Sequence, residues 1–360
     1  MLTFLIMAGG SGERFWPLST KEKPKQLLKI FSNKSLIRLA YERVLPLVDK
    51  DRIFIATNEL QVPALKDDLE ELDDSRIIIE PAFRDTAAAI AYGSTMISKY
   101  YDNPTICVLA SDHLIAKDDE FRKVIKIAEQ EAEKNNIITL GIKPTYPETG
   151  YGYIEVKDST LNKPTKSLGF KEKPQYDLAK KYFESGKYLW NSGMFIFKYE
   201  TIISALKKYS INHYETINDI KSLFSINEGI KTANLVKDKF MNFEKKSIDF
   251  AVMEHADNIM VIPSDFGWND VGNYLAFEEL FNHDENNNVV RSVNYVSVDS
   301  NNNILVSDGN YQKVALLGIK NMIIAITKDD ILVCDKSRNQ DIKKYVIERD
   351  DLNGKSSSNN

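Results

Sequence analysis

The sequence predicts an α/β fold, a mainly parallel sheet with helices on both faces, followed by a small β-rich domain. Three observations carry this. Apolar runs at 2–6, 52–57, 76–80 and 105–110 alternate with helix-period segments, as strands joined by crossover helices do. Glycines or acidic residues stand directly after several of these runs, where ligands bind open parallel sheets. Beyond Asn286-Asn287-Asn288 the apolar runs shorten and are broken by Asn, Asp and Gly, with no helical period until residues 340–348.

The first strand, 2–6, leads into a loop holding Gly9, Gly10 and Gly12, then Arg14 and Lys25. Glycines let backbone N–H groups approach an anion closely, and an arginine with a lysine suits a polyphosphate. Phe15 stands where the dinucleotide fingerprint needs its last glycine, and Glu13-Arg14 does not match a Walker A ending. A glycine-rich turn without a ligand stays open for the loop alone.

Next come a helix over 35–48, a strand at 52–57, a helix over 61–72 and a strand at 76–80. Glu80-Pro81-Ala82-Phe83-Arg84-Asp85-Thr86 follows directly. A capping turn into a helix over 87–101 accounts for Asp85 and Thr86. It does not account for Glu80, whose carboxylate can accept from the N1–H and N2–H₂ of a guanine. The strand at 105–110 ends in Ser111-Asp112-His113. Asp112 there is either a Mg²⁺ ligand or a helix cap, and His113 is a structural neighbour.

A helix over 120–133 and a strand at 137–140 lead to three segments of mixed character. Gly150-Tyr151-Gly152 can bare backbone to a sugar. Glu172-Lys173 reads either as substrate contacts or as a solvated charge pair, with Pro174 holding Lys173 extended. Asn191-Ser192-Gly193 offers an amide amid aromatics. Residues 198–244 are helix-rich, 260–263 form a strand, and 353–360 read as a disordered tail.

The chain of 360 residues, 43% hydrophobic, is long enough for a substantial core. Its net charge of −5 gives no footprint for nucleic acid, so cations for an anionic substrate must be placed locally. Cys107 and Cys334 sit in apolar runs as free thiols, which favours a cytoplasmic protein. Residues 2–6 have no basic lead-in and are a core strand, not a signal peptide, and no apolar run spans a membrane.

Gly-Gly-Ser-Gly-Glu-Arg-Phe-Trp-Pro-Leu at 9–18, with Pro-Lys-Gln-Leu-Leu at 24–28, resembles the signature of the sugar-nucleotide pyrophosphorylases, most closely the bacterial mannose-1-phosphate guanylyltransferases. The resemblance continues in family order through Glu80-Pro81, Asp112-His113, Gly150-Tyr151-Gly152, Glu172-Lys173-Pro174, Asn191-Ser192-Gly193, Ser247-Ile248-Asp249 and Trp268-Asn269-Asp270. Thr20 and Asp85 stand where the family usually has Arg and Asn.

The resemblance implies a Rossmann-like catalytic domain over 1–285, of the nucleotide-diphospho-sugar transferase type. A left-handed β-helix-like domain over 286–350 and a tail over 351–360 would follow, without the isomerase domain of longer members. It implies that Ala8, Gly9, Gly10, Gly12, Glu80, Asp85, Thr86 and Ser111 bind the nucleotide, and that Arg14, Lys25 and Lys173 act catalytically on phosphates. Gly150, Tyr151, Glu172, Lys173, Asn191 and Gly193 would hold the sugar phosphate, and Asp112 with Asp270 a Mg²⁺ or another divalent cation. The implied reaction converts GTP and mannose 1-phosphate to GDP-mannose and pyrophosphate, in a cytoplasmic homodimer with no nucleic-acid or membrane partner. Two readings compete: a nucleotidyltransferase for another base or sugar, and a non-enzymatic nucleotide-sugar sensor. A sensor has no need of two metal carboxylates. A nicotinamide dehydrogenase is disfavoured by Phe15.

Overall fold

The computed structural model describes residues 1–10, 12–225, 230–309 and 313–357. Strands β1 (Leu2–Met7), β2 (Ile53–Thr57), β3 (Ile77–Ile79) and β4 (Thr105–Ala110) lie parallel in the order β3-β2-β1-β4. Helices α1 (Leu36–Val44), α2 (Val62–Asp68) and α3 (Asp85–Ile97) connect them, and α4 (Asp118–Ala132) follows a short strand β5 (Leu114–Ile115). Strand alternation sends Phe4 and Ile6 into one core with α1, α2 and α4, and Leu5 into a second core with α3. Burial of each such side chain stabilises by about 1.5–3 kcal/mol, which makes these runs strands with two dry faces.

In the rest of the sheet the sequence predicts the strands at 137–140 and 260–263 but not the others. After β6 (Ile137–Ile142) come β7 (Tyr153–Val156), β8 (Thr165–Lys171), α5 (Tyr176–Ser185) and the long β9 (Tyr188–Lys198). Helices α6 (Tyr199–Tyr209), α7 (Ile211–Ser222) and α8 (Ile230–Phe240) lead to β10 (Ile259–Ser264) and β11 (Trp268–Asn269). β9 runs antiparallel between β4 and β6, and β10 lies parallel to β6. β8 and β7 extend the sheet beyond β10, and β7 returns to pair with the start of β9. Only β8 and β9 of the nine strands oppose the others, so the mainly parallel expectation holds.

Residues after α9 (Ala276–Leu280) form β12 (Val289–Arg291), β13 (Tyr295–Val298), β14 (Ile304–Ser307), β15 (Val314–Leu317), β16 (Met322–Ile326) and β17 (Ile331–Asp335). β12, β14 and β16 stack in parallel with Val289, Ile304 and Ile323 in register, as do β13 and β15, a β-helix-like arrangement. Asparagines bind the rungs together: Asn303 donates from Nδ2 to Asn288 Oδ1 at 2.9 Å, and the Met322 N–H donates to Asn303 Oδ1 at 2.9 Å. This domain shares a core with the loop after β1. Phe15, Trp16, Leu18, Leu28 and Ile30 pack with Val289, Ile304 and Ile323.

The last helix, α10 (Asp341–Ser357), adds Ile342 and Val346 to that core. It continues past residue 348 into the segment expected to be tail, because Glu348 and Arg349 propagate a helix already nucleated by packing. Residues 358–360 lie outside the described residues. Among the described residues no helix is long and apolar enough to cross a membrane.

Candidate active site

The loop after β1 is drawn against Lys25. Gly12 has φ 65°, and a Cβ there would lie 2.6 Å from Lys25 Cβ and 2.8 Å from its backbone nitrogen, so only glycine fits. Lys25 itself is 5% exposed. Its ammonium donates to Asp112 Oδ2 at 2.9 Å and to the backbone carbonyl of Asp270 at 2.8 Å. Asp112 follows β4, and Asp270 follows β11, which pairs with β5. Gly12, Arg14, Lys25, Asp112 and Asp270 line one cavity of about 310 Å³. Burial pushes the Asp112 carboxyl up, but the Lys25 ammonium beside it more than offsets this and holds it below its ordinary value. His113 is held neutral by burial, and its Nδ1 accepts from the Trp268 indole at 3.1 Å.

Asp270 sits in a turn the sequence did not flag. Val271 has φ 49°, an outlier for a β-branched residue, and its side chain is fully buried in the inter-domain core. The turn is over-determined by hydrogen bonds: the Val271 N–H donates to Asn269 Oδ1 at 2.7 Å and the Gly272 N–H to Asp270 Oδ1 at 3.1 Å. Tyr151 donates its phenol to the same Asp270 Oδ1 at 2.6 Å, tying the Gly150-Tyr151-Gly152 loop to the aspartate.

Across the sheet from this corner, Glu172, Asn191 and Gly152 converge. A Cβ on Gly152 would lie 2.5 Å from Glu172 Oε2 and 3.3 Å from Asn191 Cβ. Register slips between β6 and β9 around Gly193 (φ 69°), a bulge directly beyond Asn191, which itself stays paired with Gly141. Asn191 Oδ1 accepts from Thr139 Oγ1 at 3.0 Å and the Gly193 N–H at 3.2 Å, while its Nδ2 donates to Asp249 Oδ1 at 3.0 Å. Asp249 begins a π-helical turn (Asp249–Met253), and burial with Glu172 nearby pushes its carboxyl up to about 7. Lys173 is not extended as Pro174 suggested. Its φ of 44° kinks the chain just past β8, and that kink brings its ammonium to Glu172 Oε1 at 2.7 Å, with 64% of the lysine side chain exposed.

Gly9 and Glu80 face a second cavity of about 1420 Å³, lined also by Asn58, Ile79, Pro81 and Tyr92. Burial alone pushes the Glu80 carboxyl up to about 7.

The model of the family described as nucleotidyl transferase matches residues 3–287, most of the chain. The chain belongs to the nucleotidyl transferase family. A second model, described as the MannoseP isomerase/GMP-like beta-helix domain, matches residues 293–349. The chain is 36% identical to a Salmonella typhimurium mannose-1-phosphate guanylyltransferase over 97% of its own length and 73% of that relative's. It is 36% identical to a Klebsiella pneumoniae mannose-1-phosphate guanylyltransferase over 96% of its length and 73% of the relative's. A solved structure of a Thermus thermophilus protein named mannose-1-phosphate geranyltransferase superposes with TM-score 0.86 at 31% identity, over 97% of this chain and 99% of that one.

Not every residue expected to touch substrate in this nucleotidyl transferase lies free to do so. The carbonyls of Ala8 and Gly10 are taken by Gln26 Nε2 at 2.7 and 3.3 Å, and Gln61 Nε2 also reaches Gly10 at 3.3 Å. These glutamines brace the loop and were missed, although Gln26 lies within the Pro-Lys-Gln-Leu-Leu run. Neither Asp85 nor Thr86 caps α3 from outside. Asp85 is its first residue at φ 66°, its carboxylate accepting from the Thr86 N–H at 2.7 Å. Thr86 Oγ1 accepts from the Ile248 N–H at 2.9 Å, so it anchors the turn carrying Asp249. Ser111 is buried, its N–H donating to the Met7 carbonyl at 3.0 Å beside Asp112. The Gly150 N–H donates to Glu148 Oε1 at 2.6 Å. Asp249 lies within the Ser247-Ile248-Asp249 motif, but its sequence context assigns it no role. Its contact with Asn191 joins residues far apart in sequence, which no local pattern signals.

Proposed function

We propose that the protein transfers the guanylyl group of GTP to α-D-mannose 1-phosphate, giving GDP-mannose and pyrophosphate. The observation that carries the reading is the convergence of Gly12, Lys25, Asp112 and Asp270 on one cavity, with Tyr151 linking Asp270 to the sugar-side loop. An oxygen of the sugar phosphate attacks the α-phosphorus in line. A new P–O bond forms as the bond to the β-phosphate breaks, and pyrophosphate leaves with the bonding electrons. The attacking phosphate is already ionised at neutral pH, so positioning and charge neutralisation supply the catalysis.

Arg14 and Lys25 hold the triphosphate and the leaving group. Glu172 and Asn191 take sugar hydroxyls, and Lys173, turning from Glu172, takes the sugar's phosphate. The donor set fits Mg²⁺: two aspartates line one corner, where a buried ammonium bound to the Asp112 carboxylate and the Asp270 backbone carbonyl already marks a site for positive charge. Asp112 and Asp270 would hold the ion, which supplies Lewis-acid neutralisation of phosphate charge. The test is pyrophosphate release from a panel of nucleoside triphosphates and sugar 1-phosphates. GTP with mannose 1-phosphate should be fastest, and equal or faster turnover of another pair would overturn the assignment.

Glu80 in this reading accepts from the guanine edge, which requires its carboxylate. Burial pushes its carboxyl up to about 7, so as pH falls through that value one of the two acceptor oxygens becomes a donor and the pair of guanine contacts is broken. The KM for GTP is expected to rise severalfold between about pH 8 and about pH 6, and to be high and flat in Glu80→Gln. A wild-type KM flat over this range would remove Glu80 from base recognition. The sign for stability is opposite. A raised carboxyl binds its proton more tightly folded than unfolded, so this contribution declines from the ordinary value of 4.5 up to about 7.

The cytoplasmic homodimer belongs to the same proposal. Val296, Val298 and Leu317 are 45%, 54% and 73% exposed, and Val298 pairs with Leu317 across β13 and β15, forming an apolar stripe suited to a second copy. Leu317→Asp is expected to convert a dimer to monomers in analytical ultracentrifugation. An unchanged sedimentation coefficient would place the contact elsewhere.

A further inference from the structure

The cavity holding Gly12, Arg14, Lys25, Asp112 and Asp270 has one wall from the other domain: Lys343, on the first turns of α10. Its ammonium lies 3.2 Å from Glu13 Oε2, and half of its side chain is exposed. The helix that carries it is fixed against the loop. Ile342 and Val346 are 3% and 7% exposed in the core shared with Phe15 and Trp16, and the rings of Trp16 and Tyr345 lie 5.0 Å apart. The lysine is therefore a pre-placed cation on a rigid support, with a flexible stem facing the phosphate corner.

Glu13 gives it a second use. A carboxylate at the mouth of a polyanion site repels the ligand unless it is neutralised. We propose that Lys343 is a polyphosphate-binding cation supplied by the C-terminal domain: paired with Glu13 in the free protein, it turns to the β- and γ-phosphates of the bound nucleotide and to the leaving pyrophosphate. This rests on reading the corner at Gly12 and Lys25 as a polyphosphate site. The β-helix-like domain then takes part in phosphate binding, and the two domains must stay docked for turnover.

The experiment uses the full chain with inorganic tripolyphosphate and Mg²⁺ in calorimetry, and steady-state kinetics in both directions. Lys343→Met should weaken tripolyphosphate about tenfold and raise the KM for pyrophosphate in the reverse reaction to a similar extent, leaving the KM for mannose 1-phosphate unchanged. Lys343→Arg should keep most of the binding. Lys343→Met should still weaken binding in a Glu13→Gln background. If Glu13→Gln abolishes the effect, Lys343 only neutralises Glu13 and the proposal fails. Wild-type binding matched by Lys343→Met also overturns it, while a wild type that binds no tripolyphosphate overturns the corner itself as a polyphosphate site.

Discussion

Asp112→Asn and Asp270→Asn are each expected to lower kcat/KM by about a thousandfold, roughly 4 kcal/mol of transition-state stabilisation. The double variant should lose little more than either alone. The two carboxylates reach the corner from different strand ends, and the Lys25 ammonium already joins the carboxylate of one to the backbone of the other. Groups that hold one ion act as a unit, so removing either removes the site. Asparagine keeps the volume, so the Tyr151 phenol and the Gly272 N–H keep an oxygen acceptor at position 270. The measurement is pyrophosphate release against Mg²⁺ concentration, with melting temperature as the control for folding. Both single variants should need far more Mg²⁺ for half-maximal rate. Additive losses, or full activity in a chelator, would show that the aspartates do not share an ion.

What the sequence exposes is what neighbours in sequence decide. β1, β2 and β4 are dry on both faces, so they read as unbroken apolar runs, and the glycines and acids after them mark the ligand edge. β8 gives no such signal, because Thr165 to Lys171 alternates between half-buried and exposed side chains at the sheet's far end. Asp112 and Asp270 are legible as acids after strands, but their meeting at Lys25 depends on tertiary packing. The same holds for the phenol of Tyr151 on Asp270, for Asp249 behind Asn191, and for Lys343 reaching in from another domain. The kink at Lys173 runs against the local preference before proline, and the fold imposes it to bring two adjacent side chains together. Such overrides cluster where the chain does chemistry.

Lys25→Met is expected to lower kcat by about a thousandfold and the melting temperature by roughly 2–5 °C. The sequence alone points to a phosphate contact at Lys25. The structure gives the lysine two duties. Its side chain is 6% exposed, its stem packs against Gly12, and its ammonium compensates the Asp112 carboxylate, itself 35% exposed toward the cavity. Methionine preserves the stem but leaves that carboxylate without its cation, a cost moderated by the water the carboxylate still meets. The expected catalytic loss has a different source: in the proposed reaction the same ammonium would steady charge building on the departing pyrophosphate. The two effects separate in Lys25→Met combined with Asp112→Asn. Removing the orphaned charge should restore the melting temperature to near wild type, while activity stays as low as in either parent. Lys25→Arg should keep part of the stability but little of the rate, since a planar fork cannot reproduce a point charge held between two oxygens. If the double variant regains activity with stability, Lys25 serves only to hold the fold. If Lys25→Met turns over normally, the charge at this corner is not part of the reaction.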